Sequence, residues 1–380
     1  MEEWKEYKLG DVLTIKYGKD HKHLADGDIP IYGSGGFMRY GERSLYEGPS
    51  ILIPRKGSLN NIMYSDKPFW TVDTMFWSII NEEFANPLFV YYSICKKDFA
   101  SLNVGSAVPS LTVPVIEDVD ILLPSKSTQD KIVSILRSLD DKIEVNRRIN
   151  DNLEQTALAL FKAWFIDFEP VAGKDFVDSE LGFIPKGWKV VSLSSIADYI
   201  NGLAMQKYRP LEGESGLPVL KIKELGQGRV DESSELCSPS LIGSKYMIDD
   251  GDIIFSWSGT LMVKVWCGGK CGLNQHLFVV EPNNYPDWFA YQWTKHHLDN
   301  FIHIAKDKAV TMGHIKRGEL DKAKVVVPDE TNMTTIDLMM NPLHDQIILN
   351  MKESRRLASL RDTLLPRLMS GEIKVGDVTL

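Results

Sequence analysis

The chain has 380 residues, a formal net charge of −9, and apolar and charged fractions ordinary for a globular protein. That length predicts two or three domains. The acidic balance excludes a protein coated in basic surface, but a local basic groove is compatible with it. No apolar run reaches the roughly 18 residues of a membrane span, so no membrane partner is expected. The first residues, MEEWKEYKLGDV, are acidic and amphipathic rather than a secretory signal, which points to the cytoplasm. The four cysteines, Cys95, Cys237, Cys267 and Cys271, read as free thiols. Cys267 and Cys271 precede His276, but no second pair stands at zinc-finger spacing, so no metal is expected.

Taken in chain order, the elements repeat. WKEYKLGDVLTIKYG near the start matches WKVVSLSSIADYING near the middle, through Trp4, Leu9, Val12 and Gly18 against Trp188, Leu193, Ile196 and Gly202. IPIY (29–32) then matches LPVL (217–220), and ILIPRKGSL (51–59) matches IIFSWSGTL (253–261), each a strand entering a glycine turn. VDTMFW (72–77) is aligned with LNQHLF (273–278), NPLFVYY (86–92) with YPDWFAY (285–291), AVPSL (107–111) with AVTMG (309–313) and ILLP (121–124) with VVVP (325–328). The slips fall where loops change length. Two copies of an α+β globule result, each followed by a long helical pattern. The boundaries are 1–125, 126–170, 171–328 and 329–380.

The first helical pattern covers residues 128–168. Its apolar positions Ile132, Leu136, Leu139, Ile143, Leu153, Ala157, Leu160 and Trp164 alternate in steps of four and three around a gap, a heptad seam. Asn146 and Asn150 fall in the gap. The second covers 331–369, with Ile336, Met340, Leu343, Ile347, Asn350, Leu357, Leu364 and Leu368 on the same seam. Asn146 and Asn350 are equivalent, and a polar seam residue fixes register at some cost in stability. An antiparallel pairing sets Ile132 against Leu364, Leu160 against Ile336, and the two asparagine amides against each other. Pro366 is expected to kink or end the helix, and Gly371 to stop it. Phe161, Trp164, Phe165 and Phe168 in the first helix, and Leu365 and Met369 in the second, give apolar surface on more than one face, so a partner protein is expected to cover them.

A 40-residue helix spans roughly 60 Å, about 17 base pairs of duplex. Two globules held apart by such a bar suit the reading of two DNA segments across an unread gap. The alternative is a scaffold that spaces two protein partners without reading DNA.

The layout resembles the specificity subunit of type I restriction–modification enzymes, over essentially the whole chain. The stretches that carry the resemblance are YGSGGFM from Tyr32, PRKGS from Pro54, STQDKIVSILRSLDDKIEVNRRINDNLE from Ser127 and LRDTLLPRLMSGEI from Leu360. It implies an α+β fold of two repeated globular target recognition domains separated by two long antiparallel coiled-coil helices, pseudo-twofold symmetric. Each globule would read half of a bipartite site in double-stranded DNA. The helices would dock two modification (methyltransferase) subunits, with restriction subunits joining the complex. S-adenosylmethionine, ATP and Mg would sit on those partners and no cofactor on this chain. The second helical region departs from the first, with Met333 where the first has Gln129, which bears on the equivalence of the two docking sites.

No catalytic motif competes with this reading. NPLF (86–89) lacks the second proline of an adenine methyltransferase motif, GSGG (33–36) is not a dinucleotide fingerprint, and EIK (372–374) has no strand context. A non-catalytic recognition subunit is therefore expected. Base readout and phosphate positioning need donors and acceptors on turns. In the first globule these are Tyr32 and Ser34, then Arg55, Lys56 and Ser58, with Ser106 and Ser110 as weaker candidates. In the second they are Lys221, Lys223, Ser256, Trp257, Ser258, Thr260, Gln275 and His276, then Lys308, Thr311, His314, Lys316 and Arg317. Residues 1–125 carry 12 basic and 17 acidic groups and residues 171–328 carry 18 and 19, so phosphate neutralisation is expected to involve partner subunits.

Overall fold

The computed structural model describes residues 4–307 and 313–377. It divides into two compact units, one comprising the chain up to Asp141 together with the segment from Ala358 onward, the other Lys142–Leu357. Both long helices, Lys126–Phe165 and Glu330–Met369, are continuous through these divisions. The compact units therefore take in parts of the helices, which the sequence boundaries at 125, 170 and 328 assigned to separate segments.

In the first unit, antiparallel strands Leu13–Tyr17, Met75–Ile80, Ser50–Pro54 and Met63–Ser65 lie side by side in that order. Strand Ser50–Pro54 is buried along its whole length, as a central strand rich in isoleucine and leucine should be. A smaller sheet orders Gly36–Gly41, Ile29–Gly33 and Trp70–Thr71. Lys5–Lys8 pairs with Asp120–Leu123, so the start and end of the globule are tied together. Helix Pro87–Ile94 begins where the Asn86 Oδ1 accepts from the Leu88 and Phe89 amides at 3.0 and 3.2 Å, an N-cap followed by proline at the first helical position.

The second unit repeats this plan. Its main sheet orders Ala197–Asn201, Leu277–Pro282, Ile253–Ser256 and Met262–Val265. Its smaller sheet orders Leu236–Cys237, Leu217–Leu220, Cys271–Leu273 and Met247–Ile248, and Lys189–Ser192 pairs with Lys324–Val327. Hairpin Phe176–Ser179/Gly182–Pro185 and helix Ile222–Gln227 have no counterpart among the described residues of the first unit.

The strand registers correct three of the sequence alignments. Tyr17 pairs with Phe76 and Asn201 with Phe278, so Phe76 corresponds to Phe278 and the VDTMFW match is out by one residue. The N-caps make Asn86 equivalent to Pro286, again a shift of one. The bridges Lys56–Ser110 and Ser258–His314 make Ser110 equivalent to His314, displacing the AVPSL match by two.

Each unit contains its own stretch of paired helix. In the first, Ile132, Val133 and Leu136 share a core with Leu365 and Leu368, and the Asp140 carboxylate meets Arg361 at 2.6 Å. In the second, Ala157 and Phe161 share a core with Ile336 and Met340. In both, residues early in one helix meet residues late in the other, so both pairings are antiparallel. The terminal helix does not end at Pro366 but runs to Met369. It stops at Gly371, whose φ of 73° is left-handed and where a Cβ would lie 2.8 Å from the Trp4 Nε1.

The asparagines are where they were expected, but their pairing differs. The Asn350 Nδ2 donates to the Asn150 Oδ1 at 2.8 Å, and the Asn150 Nδ2 donates to the Ile347 carbonyl at 3.1 Å. The Asn146 Nδ2 instead donates to Glu353 Oε2 at 2.7 Å, Ser354 Oγ at 3.3 Å and the Asn350 backbone carbonyl at 3.5 Å, leaving its buried Oδ1 without a partner. The side-chain amide pair is thus Asn150–Asn350, one turn from the position that equal spacing selects. Asn350→Leu leaves the Asn150 Oδ1 without its donor and is expected to cost about 1–3 kcal/mol. Asn150→Leu with Asn350→Leu should recover part of that, and Asn146→Leu should cost less than Asn350→Leu. Urea unfolding of the three variants beside the wild type tests the order.

The aromatic residues assigned to a partner are claimed by the chain itself. Phe161, Trp164 and Phe165 are buried in the core of the second unit, with Phe168 half-buried against it. Leu365 is buried in the core of the first, with Met369 half-buried against it. The extra apolar faces of both helices are covered by this chain's own globules, so the expected docking role of these residues is withdrawn. Gln129 is likewise internal. Its Oε1 accepts the Asn86 amide at 2.8 Å and its Nε2 donates to the Pro124 carbonyl at 3.1 Å. Its absence at Met333 concerns the packing of a globule rather than the docking of a partner.

Candidate nucleic-acid interface

The central strand of the first unit ends at Pro54 and enters the turn Arg55–Lys56–Gly57–Ser58. Backbone bonds on two sides fix this turn. The Arg55 and Lys56 amides donate to the Thr74 carbonyl at 2.8 and 3.2 Å, the Gly57 amide to Pro109 at 3.1 Å, and the Leu111 amide to the Arg55 carbonyl at 2.9 Å. Gly57 has φ 90°, and a Cβ there would lie 2.9 Å from the Ser34 Oγ. The Asn61 Nδ2 donates to the Ser34 carbonyl at 2.9 Å. The YGSGG and PRKGS turns therefore meet, and Lys56 bridges to Ser110. Lys56, Ser58 and Ser106 are exposed, Tyr32, Ser34, Arg55 and Ser110 half-buried. The Arg55 guanidinium lies over the Tyr17 ring, 5.7 Å from its centroid.

The second unit builds the same frame. The Trp257 amide donates to the His276 carbonyl at 3.4 Å, the Gly259 amide to Gly313 at 3.0 Å, and the Ile315 amide to the Trp257 carbonyl at 3.2 Å. Gly259 has φ 67°. The side chains differ. The Trp257 Nε1 donates to the Asn201 Oδ1 at 2.9 Å and its indole stacks on Phe278 with centroids 5.6 Å apart. His276 and His314 lie 6.2 and 6.3 Å from the same ring, and Gln275 Nε2 is 3.3 Å from His276 Nε2. Thr260, His314 and Lys316 are exposed. Arg317 donates to the Tyr199 carbonyl at 3.0 Å.

Several expected contact residues have internal work instead. Ser256 is fully buried and donates to the Thr260 carbonyl at 2.8 Å, shaping the turn rather than facing a ligand. Ser258 is 5% exposed and bonded to His276 Nδ1 at 2.9 Å, so it orients the imidazole. Lys221 is paired with Glu235 at 2.5 Å, and Lys223 lies 3.0 Å from Ser233 and 3.7 Å from Asp231. Helix Ile222–Gln227, which follows Lys221 and contains Lys223, abuts the turn through Ile222, whose Cδ1 is 3.3 Å from a Cβ built on Gly259. Lys308 and Thr311 lie outside the described residues.

Tyr17 and Asn201, on which residues 55 and 257 rest, were not selected from the sequence. The available signal was position, since each immediately precedes the glycine that aligns the repeats, Gly18 and Gly202. Burial pushes the thiol of Cys267 up to about 11 and that of Cys271 up to about 12, which suits buried side chains rather than reactive ones. Among the described residues no group of three His, Cys, Asp or Glu side chains is placed to hold a metal ion, and no helix is long and apolar enough to cross a membrane.

Comparison with known proteins assigns this architecture. The model for the type I restriction modification DNA specificity domain matches residues 1–155 and again residues 185–357. The MjaIX specificity subunit of Methanocaldococcus jannaschii is 28% identical over 98% of this chain and 89% of its own. The HindI specificity subunit of Haemophilus influenzae is 21% identical over 98% of this chain and all of its own, 100%. The crystal structure of the type I restriction–modification S subunit from M. genitalium shares the fold, with a TM-score of 0.59 at 16% identity over 97% of this chain and 96% of that one. With two copies of the domain covering most of its length, the chain belongs to the family of type I restriction–modification specificity subunits, the DNA-recognition component of those systems.

Proposed function

We propose that each globule of this subunit reads one half of a bipartite site in double-stranded DNA, and that the paired helices set the unread gap and dock two modification subunits. One observation carries the proposal. The same hydrogen-bonded turn frame occurs at register-equivalent positions of both units, and it presents different side chains in each, Arg55 on Tyr17 and Trp257 on Asn201. A common frame with divergent tips is what two readers of unlike sequences require, because position is held by backbone and base choice by side chains.

Methyl transfer and cleavage belong to partner subunits, with S-adenosylmethionine, ATP and Mg bound there. Docking falls to apolar residues that the helices leave in solvent. Val145 and Leu349, repeat-equivalent and 47% and 58% exposed, are the best placed, and Leu158 and Leu338 are also exposed further along the second unit's helical segments. Sequencing methylated adenines in a host with and without this chain, its modification subunit present throughout, tests the proposal. A two-part motif that depends on the chain is expected. A scaffold without DNA reading predicts no sequence-dependent change.

A further inference from the structure

We infer that Arg55 reads a guanine in the half-site of the first globule, held for that task on the face of Tyr17. The inference rests on the reading that each globule recognises a half-site, and adds the base and the residue.

The first observation is how the arginines of this unit are used. Arg39 donates to the carbonyls of His21, Leu24 and Tyr40 and meets Asp26 at 3.3 Å. Arg137 meets Asp66 at 3.0 Å, Arg361 meets Asp140 at 2.6 Å, and Arg43 lies 3.1 Å from His23 Nε2. Arg367 meets Glu372 at 2.8 Å. Arg55 differs. Among the described residues its guanidinium has no hydrogen-bond acceptor and no carboxylate, although the side chain is half-buried. Five N–H donors remain for a ligand.

The second observation is the platform. Tyr17 is 56% exposed, and its ring is steadied edge-on by Phe76 with centroids 5.0 Å apart. A guanidinium over an aromatic face keeps its in-plane donors free while losing much of its rotational freedom. A flat donor fork fixed in this way matches two acceptors in one plane, as guanine O6 and N7 present in the major groove. A phosphate can also take this fork bidentately but carries no base identity, and the exposed Lys56 next in sequence is available to hold it as a point charge.

The third observation is the second globule. The equivalent residue, Trp257, spends its one donor on Asn201 and stacks on Phe278. That position has no side-chain donor left for a base edge, so the two halves should differ there.

The experiment uses the full chain in its complete complex, with methylated-base sequencing of host DNA as the readout. The half read by the first globule is the one retained when the second unit is exchanged. The wild type is expected to require a guanine in that half. Arg55→Lys and Arg55→Ala should make that single position degenerate, losing ~5- to 150-fold in discrimination. Tyr17→Phe, which keeps the ring, should preserve it. The unaffected half, still read normally, shows that each variant is folded. The inference is overturned if the first half contains no guanine, if Arg55→Ala leaves every position intact, or if it lowers methylation evenly across sequences as loss of a phosphate contact would. A wild type with no chain-dependent bipartite motif overturns the half-site reading itself.

Discussion

Phe165→Ala is expected to destabilise the isolated chain by about 3–5 kcal/mol, a large part of the ~5–15 kcal/mol that holds a domain folded. Phe165 is 1% exposed. Its ring lies 5.1 to 6.3 Å from those of Phe161, Phe289, Trp293, Trp188 and Trp288. Truncation opens a cavity where the first long helix joins the core of the second unit, and five neighbouring rings cannot all collapse into it. Intrinsic fluorescence during urea unfolding reports the change directly, because three of those neighbours are tryptophans. A docking residue would behave otherwise, leaving the free chain's midpoint in place and weakening only partner capture. An unchanged midpoint would reinstate the partner-facing role of this aromatic set.

The sequence carried the repeat because apolar strands, glycine turns and heptads leave periodic marks. It did not carry the exact register. Two adjacent aromatics, Phe76 and Trp77, both offered a match to Phe278, and only the ladder, in which Tyr17 pairs with Phe76 and Asn201 with Phe278, selects Phe76. The helix faces show the same limit. An apolar excess at Phe161, Phe165 and Leu365 says that something covers them, and a pattern along one helix cannot say whether that cover is the chain itself. The asparagines were legible as a polar layer. Equal spacing paired Asn146 with Asn350, whereas the observed amide contact lies one turn along, at Asn150.

The turn residues were found as a class because they recur in both copies. Their separate roles depended on contacts distant in sequence. Nothing near Ser256 indicates that it is fully buried, and nothing near Lys221 names Glu235 as its partner. Tyr17 carries no mark of its own in the repeat pattern, yet its exposed ring is the surface on which Arg55 rests.

Exchange of the second unit for that of another family member tests the central claim most directly. The exchange should span residues 142–357 rather than the globule alone, because Phe161, Phe165, Ile336 and Met340 of the helices belong to that core. A junction at 171 and 328 would set one protein's helix aromatics against another's globule and confound misfolding with altered reading. In the complete complex, methylated-base sequencing is predicted to show one half of the motif replaced by the donor's and the other half unchanged. Change in both halves, or in neither, would contradict the account, since each half would then not be the property of one globule.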